Sequence, residues 1–407
     1  MMADDAATFI RPNPIGQYLT REQLAEQILS KNVLRIGIPK EVAFEERRVP
    51  LVPESVGMLV HQGHQVVIQE NAGTHAGFQD IEYAENGALI SQDVSEVFRS
   101  DVVLKVSPPT PEEIELLENR RILISALNFC GRDREYFQAL IRKKTTALTY
   151  ETIRDKTGRF PVMQSISEIV GNGSVIIAAE LLAHPEHGRG IILGGFPGIT
   201  PAEVVIIGGG AVGSAAARAA LHMGAVVRVF DDHIHKLRSI SNDLQHAVFT
   251  SILQPKVLLK ALRTADVVIG AMQAEDGHIP FLIPEEMVEE MKQGAVIIDV
   301  SIDQGGVFET SRQTSHQDPF FVHHGIIHYC VPNIASRYAR TTSYALSNYF
   351  TPLLLHLGDF VNFNQFLLHE QGLLEAIYLY QGILTHPGAS KKFNITGQDI
   401  NLLLAAL

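Results

Sequence analysis

Residues 204–213 constrain this chain more than any other stretch, reading Val-Val-Ile-Ile-Gly-Gly-Gly-Ala-Val-Gly. An apolar run leads straight into glycines spaced G-x-G-x-x-G (Gly208, Gly210, Gly213), and an Ala-rich stretch follows. The next apolar run ends in Phe230-Asp231-Asp232. Strand, glycine turn, helix, strand and acid in this order predict a parallel βαβ unit that binds a dinucleotide. Gly208 permits the tight turn, Gly210 lets the backbone approach a pyrophosphate, and Gly213 lets helix press on strand. Ala211 and Val212 open the helix, whose free N–H groups face the phosphates. A carboxylate at Asp231 accepts from ribose hydroxyls and repels a 2′-phosphate, which predicts NAD rather than NADP.

The same alternation runs through most of the chain. Strands are predicted at 34–38, 65–69, 101–106, 122–127 and 147–150, with helices at 53–62, 111–117 and 133–143. A second series has strands at 204–207, 226–230, 267–269, 295–299 and 327–330, with helices at 212–223, 233–243 and 284–292. Short apolar strands alternating with amphipathic helices predict α/β architecture: two doubly wound, mainly parallel, Rossmann-like sheets. Helical segments at 166–184 and 341–357 are expected to cross between them and leave a cleft. The predicted organisation is an N-terminal extension at 1–32, a substrate domain at 33–160 plus 340–407, and a cofactor domain at 161–339. Within the extension, Thr20-Arg-Glu-Gln23 is a capping-box pattern for a short helix.

Composition narrows the partners. The 407 residues carry 33 Lys+Arg against 45 Asp+Glu, a net charge of −12. Such a chain lacks the basic face that nucleic acid or an anionic membrane demands. Two cysteines, Cys130 and Cys330, fit no disulfide framework and no zinc motif. The acidic start MMADDAATF lacks the pattern of a signal peptide. Neither 191–213 nor 344–357 is an unbroken apolar span. The expectation is a cytoplasmic protein that acts on a small molecule, with no metal.

Several strings resemble the alanine dehydrogenase family, which shares its fold with the nucleotide-binding domain of the transhydrogenase alpha subunit. They are Ile-Gly-Ile-Pro-Lys-Glu at 36–41, Arg-Arg-Val-Pro-Leu-Val-Pro at 47–53 and Gly-His-Gln-Val-Val at 63–67. Gly-Gly-Phe-Pro-Gly at 194–198 follows, then the fingerprint, then Asp-Val-Ser-Ile-Asp-Gln-Gly-Gly at 299–306. His-Tyr-Cys-Val-Pro-Asn at 328–333 and Thr-Ser-Tyr-Ala-Leu-Ser-Asn at 342–348 close the series. The resemblance implies hydride transfer between NAD and the Cα of a small amino acid, with alanine and pyruvate as default substrates, in a homo-oligomer. It assigns Arg48 to the substrate carboxylate and Asp303 to the active site. It places Asn333 near the nicotinamide and Ser167, on a crossing helix, against the cofactor.

Two positions depart from the family pattern. The family carries a lysine pair after the strand at 101–106; here Lys105 matches the first and Ser107 replaces the second. Asn128 replaces the family's catalytic histidine, and an amide cannot exchange a proton near pH 7. Asp303 and the imidazoles of His323, His324 and His328 are the alternative proton carriers. The replacements keep two other functions open: a transhydrogenase-like module that passes hydride to a partner's NADP, and a non-catalytic NAD-binding protein.

Overall fold

The computed structural model describes residues 32–127, 131–244, 248–273, 279 and 282–405. The helix expected at 20–30, together with Asn128 and Cys130, lies outside the described residues.

Among the described residues the first sheet has eight strands and the second seven. Those of the first are β1 (Arg35–Ile38), β2 (Gln65–Gln69), β3 (Leu89–Ser91), β4 (Val102–Leu104), β5 (Ile122–Ser125), β6 (Thr146–Thr149), β14 (Ile377–Tyr380) and β15 (Ile383–Leu384). Those of the second are β7 (Glu203–Ile207), β8 (Val226–Phe230), β9 (Phe249–Ser251), β10 (Val267–Gly270), β11 (Val296–Asp299), β12 (Phe320–His323) and β13 (Ile326–Tyr329). The spatial orders are β15-β14-β6-β5-β4-β1-β2-β3 and β12-β13-β11-β10-β7-β8-β9. The interior of each sheet is parallel. Its strands are continuous apolar runs, as burial on both faces requires: Val-Val-Leu in β4 and Val-Val-Ile-Gly in β10 are wholly buried.

Antiparallel strands at the margins depart from the parallel expectation. β12 pairs antiparallel with β13, β14 with β6, and β15 with β14. The last two come from the C-terminal tail, which adds to the first sheet rather than forming a separate layer. Strands of two to four residues are too short to show alternation in a sequence.

In each sheet the order reverses at one place, between β1 and β4 in the first and between β7 and β10 in the second. Open α/β sheets bind ligands outside the strand carboxyl ends at such points. Loops 39–48 and 105–110 leave the first reversal, and Gly208–Gly210 and Ala271–Gln273 leave the second.

Two helices run between the sheets. Pro161–Leu182 starts on a proline at its first turn. Among the described helices it alone is long and apolar enough to cross a membrane, and half of its most apolar window is buried inside the protein. It packs on the helix Ala211–His222 through Gly171, where a Cβ would collide with the Val212 carbonyl. The other helix, Ala339–Gly358, carries Ser343 and Ser347 one turn apart on its buried face. Their hydroxyls accept from Val49 N (2.9 Å) and Val52 N (2.8 Å), which ties the loop after Arg48 to this helix. Ser347→Ala leaves the Val52 N–H buried without that acceptor. It is expected to cost about 1–3 kcal/mol in urea denaturation; unchanged stability would show that the loop is held by packing alone.

Candidate active-site cleft

The glycine turn has the local structure that its spacing demands. Gly208 adopts φ +108°, and a Cβ there would strike the Ala271 carbonyl on the neighbouring strand's loop. A Cβ on Gly213 would run into the Gly208 carbonyl, whereas one on Gly210 would enter open space. The two outer glycines thus close the turn, and Gly210 leaves a bare backbone beside the helix N-terminus. Ala211 and Val212 form the first turn of that helix. This is a cradle of the shape and polarity a pyrophosphate needs.

Asp231 is buried beneath this cradle. Its Oδ2 accepts from Gly209 N (2.6 Å) and its Oδ1 from His233 N (2.7 Å). Burial opposes its ionisation, but these N–H donors outweigh burial and hold its pKa below the usual carboxylate range. The carboxylate therefore braces the turn, and the adjoining Asp232 is the exposed acid at the strand end. Ser167 lies one helical turn before Gly171, on the face turned toward the start of Ala211–His222.

In the first unit, the loops after β1 and β4 and the helix Pro111–Leu116 bring together Glu41, Glu46, Arg48, Lys105 and Glu113. Arg48 and Glu46 form a buried, two-pronged pair, Nε–Oε1 2.7 Å and Nη2–Oε2 2.6 Å. The Arg48 backbone N–H also donates to Glu46 Oε1 (3.0 Å). Ser107 Oγ donates to Glu46 Oε2 (3.2 Å), and Asn333 Nδ2 donates to the same oxygen from the second unit (3.1 Å). Burial raises the cost of charge on Glu46, but the Arg48 guanidinium overcomes it and keeps the carboxyl below its ordinary range. Asn333 stands at φ +58° and makes no side-chain cap for the helix it precedes, so its amide is free to cross the cleft.

Lys105 is engaged within the first unit. Its wholly buried ammonium is held by Glu113 Oε1 (2.8 Å) and Glu41 Oε2 (3.3 Å). Glu113 is placed by the capping box of the helix Pro111–Leu116, where its Oε2 accepts from Thr110 N. Glu41 Oε1 accepts from Val106 N (2.6 Å), and Tyr150 donates to the Val106 carbonyl (2.8 Å). Burial pushes Glu41 up to about 7, since Lys105 offsets only part of the desolvation.

Asp303 is exposed in a helical turn after β11, near enough to Glu151 of the first unit to feel its charge. The surrounding protein raises its pKa, and the carboxylates of Asp299 and Glu151 add to the rise. Glu151 is held by Leu127 N (2.8 Å) and Thr149 Oγ1 (2.9 Å). The three candidate histidines belong elsewhere. His323 and His324 share Glu285 Oε1 at the outer edge of the second sheet (2.9 and 2.6 Å). His328 is buried, stacks on Phe321, and is pushed down to about 4 by burial.

Sequence reasoning missed Glu46, Glu41 and Glu151. A cavity of about 340 Å³ lies beside the Arg48 loop, lined by Glu41, Glu45, Glu46, Arg47, His75 and Gln317 among others. Its imidazole, His75, was also missed, because nothing local marks a histidine that only the fold brings to the cleft.

The fold and site thus define an α/β protein of two sheets, one with a dinucleotide-type glycine turn and the other with a buried ionic cluster at its switch point. Residues 37–170 match the family described as alanine dehydrogenase/PNT, N-terminal domain, and residues 174–387 match its C-terminal domain. The alanine dehydrogenase of Staphylococcus saprophyticus is 36% identical over 370 residues, covering 91% of this chain and 99% of that protein. Alanine dehydrogenase 2 of Staphylococcus aureus is 35% identical over 368 residues, covering 90% and 98%. A solved L-alanine dehydrogenase superimposes with a TM-score of 0.80 at 34% identity, covering 88% of this chain and 98% of that one. A transhydrogenase from Sinorhizobium meliloti shares the fold, with a TM-score of 0.73 at 23% identity over 87% and 99%. The chain belongs to the alanine dehydrogenase/PNT family.

Proposed function

We propose that this protein is an NAD-dependent amino-acid dehydrogenase of the cytoplasm, a homo-oligomer that converts L-alanine, NAD and water to pyruvate, ammonium and NADH. The observation that carries the reading is the hydrogen bond by which Asn333, from the second unit, reaches Glu46 beside Arg48. The glycine turn and the Arg48 loop each leave the switch point of their own sheet. The cofactor, when bound, supplies the hydride acceptor. Gly208, Gly210 and Gly213 hold its pyrophosphate, with Ala211 and Val212 giving N–H donors. Ser167 and Asn333 position the nicotinamide end, and the Asp231–Asp232 corner meets the ribose. Arg48 orients the substrate carboxylate, aided by the Ser107 hydroxyl.

Asp303 accepts the proton released as the amine becomes an imine and then a carbonyl. Its raised proton affinity suits that task better than an ordinary surface carboxylate. The domain reading follows the sheets. Residues 33–160 with 340–407 present the substrate side, and 161–339 present the cofactor side.

Purified protein is expected to oxidise NADH with pyruvate plus ammonium, slowly. Asn128→His is expected to raise that turnover by about 10²-fold, because one positioned acid–base group contributes about that much or more. NADH binding without turnover on any 2-oxo acid, in both wild type and Asn128→His, rejects the dehydrogenase reading.

A further inference from the structure

The five hydrogen bonds on Glu46 use both faces of its carboxylate. Oε1 accepts from Arg48 N and Nε, and Oε2 accepts from Arg48 Nη2, Asn333 Nδ2 and Ser107 Oγ. A carboxylate offers about four lone-pair positions, so Glu46 is saturated. Two of its donors, Arg48 and Ser107, are the groups that the proposed function reserves for a substrate carboxylate. The surrounding charge is also out of balance. Glu41, Glu46 and Glu113 are joined by ion pairs to only Lys105 and Arg48, which leaves one carboxylate in surplus. Ser107 stands where a further cation would have balanced the set.

We propose that Glu46 is a built-in occupant of the Arg48 anion seat, and that the cleft therefore binds a substrate carboxylate only together with a proton taken up by Glu41 or Glu46. This inference rests on the dehydrogenase reading for the location of the substrate. An incoming carboxylate either displaces Glu46 or shares the remaining edge of the guanidinium. Displacement leaves Glu46 a buried carboxylate without its cation, and sharing puts two carboxylates on one cation; neither leaves both carboxylates ionised. The proton has a ready acceptor, since buried Glu41 titrates near neutrality.

The other groups facing the pair do not relieve the imbalance. From its own loop, Arg47 and Glu45 line the adjoining cavity with His75, and Glu45 is held by His316 N. From the loop after β4 come Lys105, already paired, and the neutral Ser107. From the helix Pro111–Leu116 comes Glu113, and from the end of β6 comes Tyr150, whose ionisation burial suppresses. Across the cleft stands the neutral amide of Asn333.

Oxamate, an unreactive isostere of pyruvate, is the probe. It is titrated calorimetrically into the NADH-saturated protein from about pH 6 to about pH 8.5, in buffers of different ionisation heat. Wild type is expected to take up close to one proton per oxamate at the upper pH, falling away below about pH 7, with Kd rising about tenfold per pH unit above about pH 7. Glu46→Gln is expected to bind at least about tenfold more tightly at the upper pH and to lose the proton uptake. Binding seen only in Glu46→Gln supports the proposal equally.

Proton-free, pH-independent binding by wild type overturns it. So does weaker binding by Glu46→Gln, which would make Glu46 an aid to Arg48 rather than its occupant, and so does absence of binding by both. Should Glu46→Gln fail to fold, the wild-type proton count decides. Oxamate binding needs no turnover, so loss of the dehydrogenase reading shows separately, as NADH bound with no 2-oxo acid reduced.

Discussion

Exchanging Asp303 for asparagine is expected to lower turnover by about 10²–10⁴-fold while leaving the Kd for NADH within about threefold. Asparagine keeps the size of the side chain and much of its hydrogen bonding, but it cannot take up a proton. Asp303 is an exposed titratable residue in the turn after β11. Its proton affinity is raised by the protein around it and by Asp299 and Glu151. Single-turnover oxidation of NADH with pyruvate and ammonium measures the proton-dependent step directly. Loss of activity with intact NADH binding supports a role in the chemistry. Turnover within about threefold of wild type transfers the role elsewhere, and His75 in the adjoining cavity becomes the next residue to replace.

Replacing Arg48 by methionine is expected to destabilise the protein by about 3–5 kcal/mol, because it strands a buried carboxylate. The same volume of apolar side chain remains, so lost packing contributes little. Glu46 would keep the residue-48 backbone N–H, Ser107 and Asn333 as donors but lose the two charge-assisted hydrogen bonds from the Arg48 guanidinium. Restoring neutrality in Arg48→Met/Glu46→Gln is expected to recover more than half of that loss. Urea unfolding followed by far-UV circular dichroism suits the test, since the chain contains no tryptophan. A single-variant cost below about 1 kcal/mol would show that the pair is solvated in solution and not the buried unit seen here.

Much of the framework was legible because its physical causes are local. The strand Gln65–Gln69 and the strand Val226–Phe230 fall where their apolar runs place them. The turn at Gly208–Gly213 follows from the spacing, since the two outer glycines occupy places where a Cβ meets backbone. The strands from the tail and β12 were not legible. They are short, and their pairing partners lie far off in the chain or across a tight turn. The site divides in the same way. Arg48, Ser107 and Asn333 could be picked out one by one, but nothing in the sequence indicates that all three converge on Glu46. Lys105 could be picked out in the same way, yet nothing in the sequence indicates that Glu41 and Glu113 hold it.

The sequence by itself determined the α/β class, the glycine turn and the family of this protein, because periodicity, turn sterics and ordered motifs act over a few residues at a time. Tertiary structure decided the charge state of the cleft. Residues 41, 46, 48, 105 and 113 are buried together only after two loops and a capped helix meet at one sheet's switch point. Electrostatic energy there depends on distance and burial, which a linear spacing does not contain.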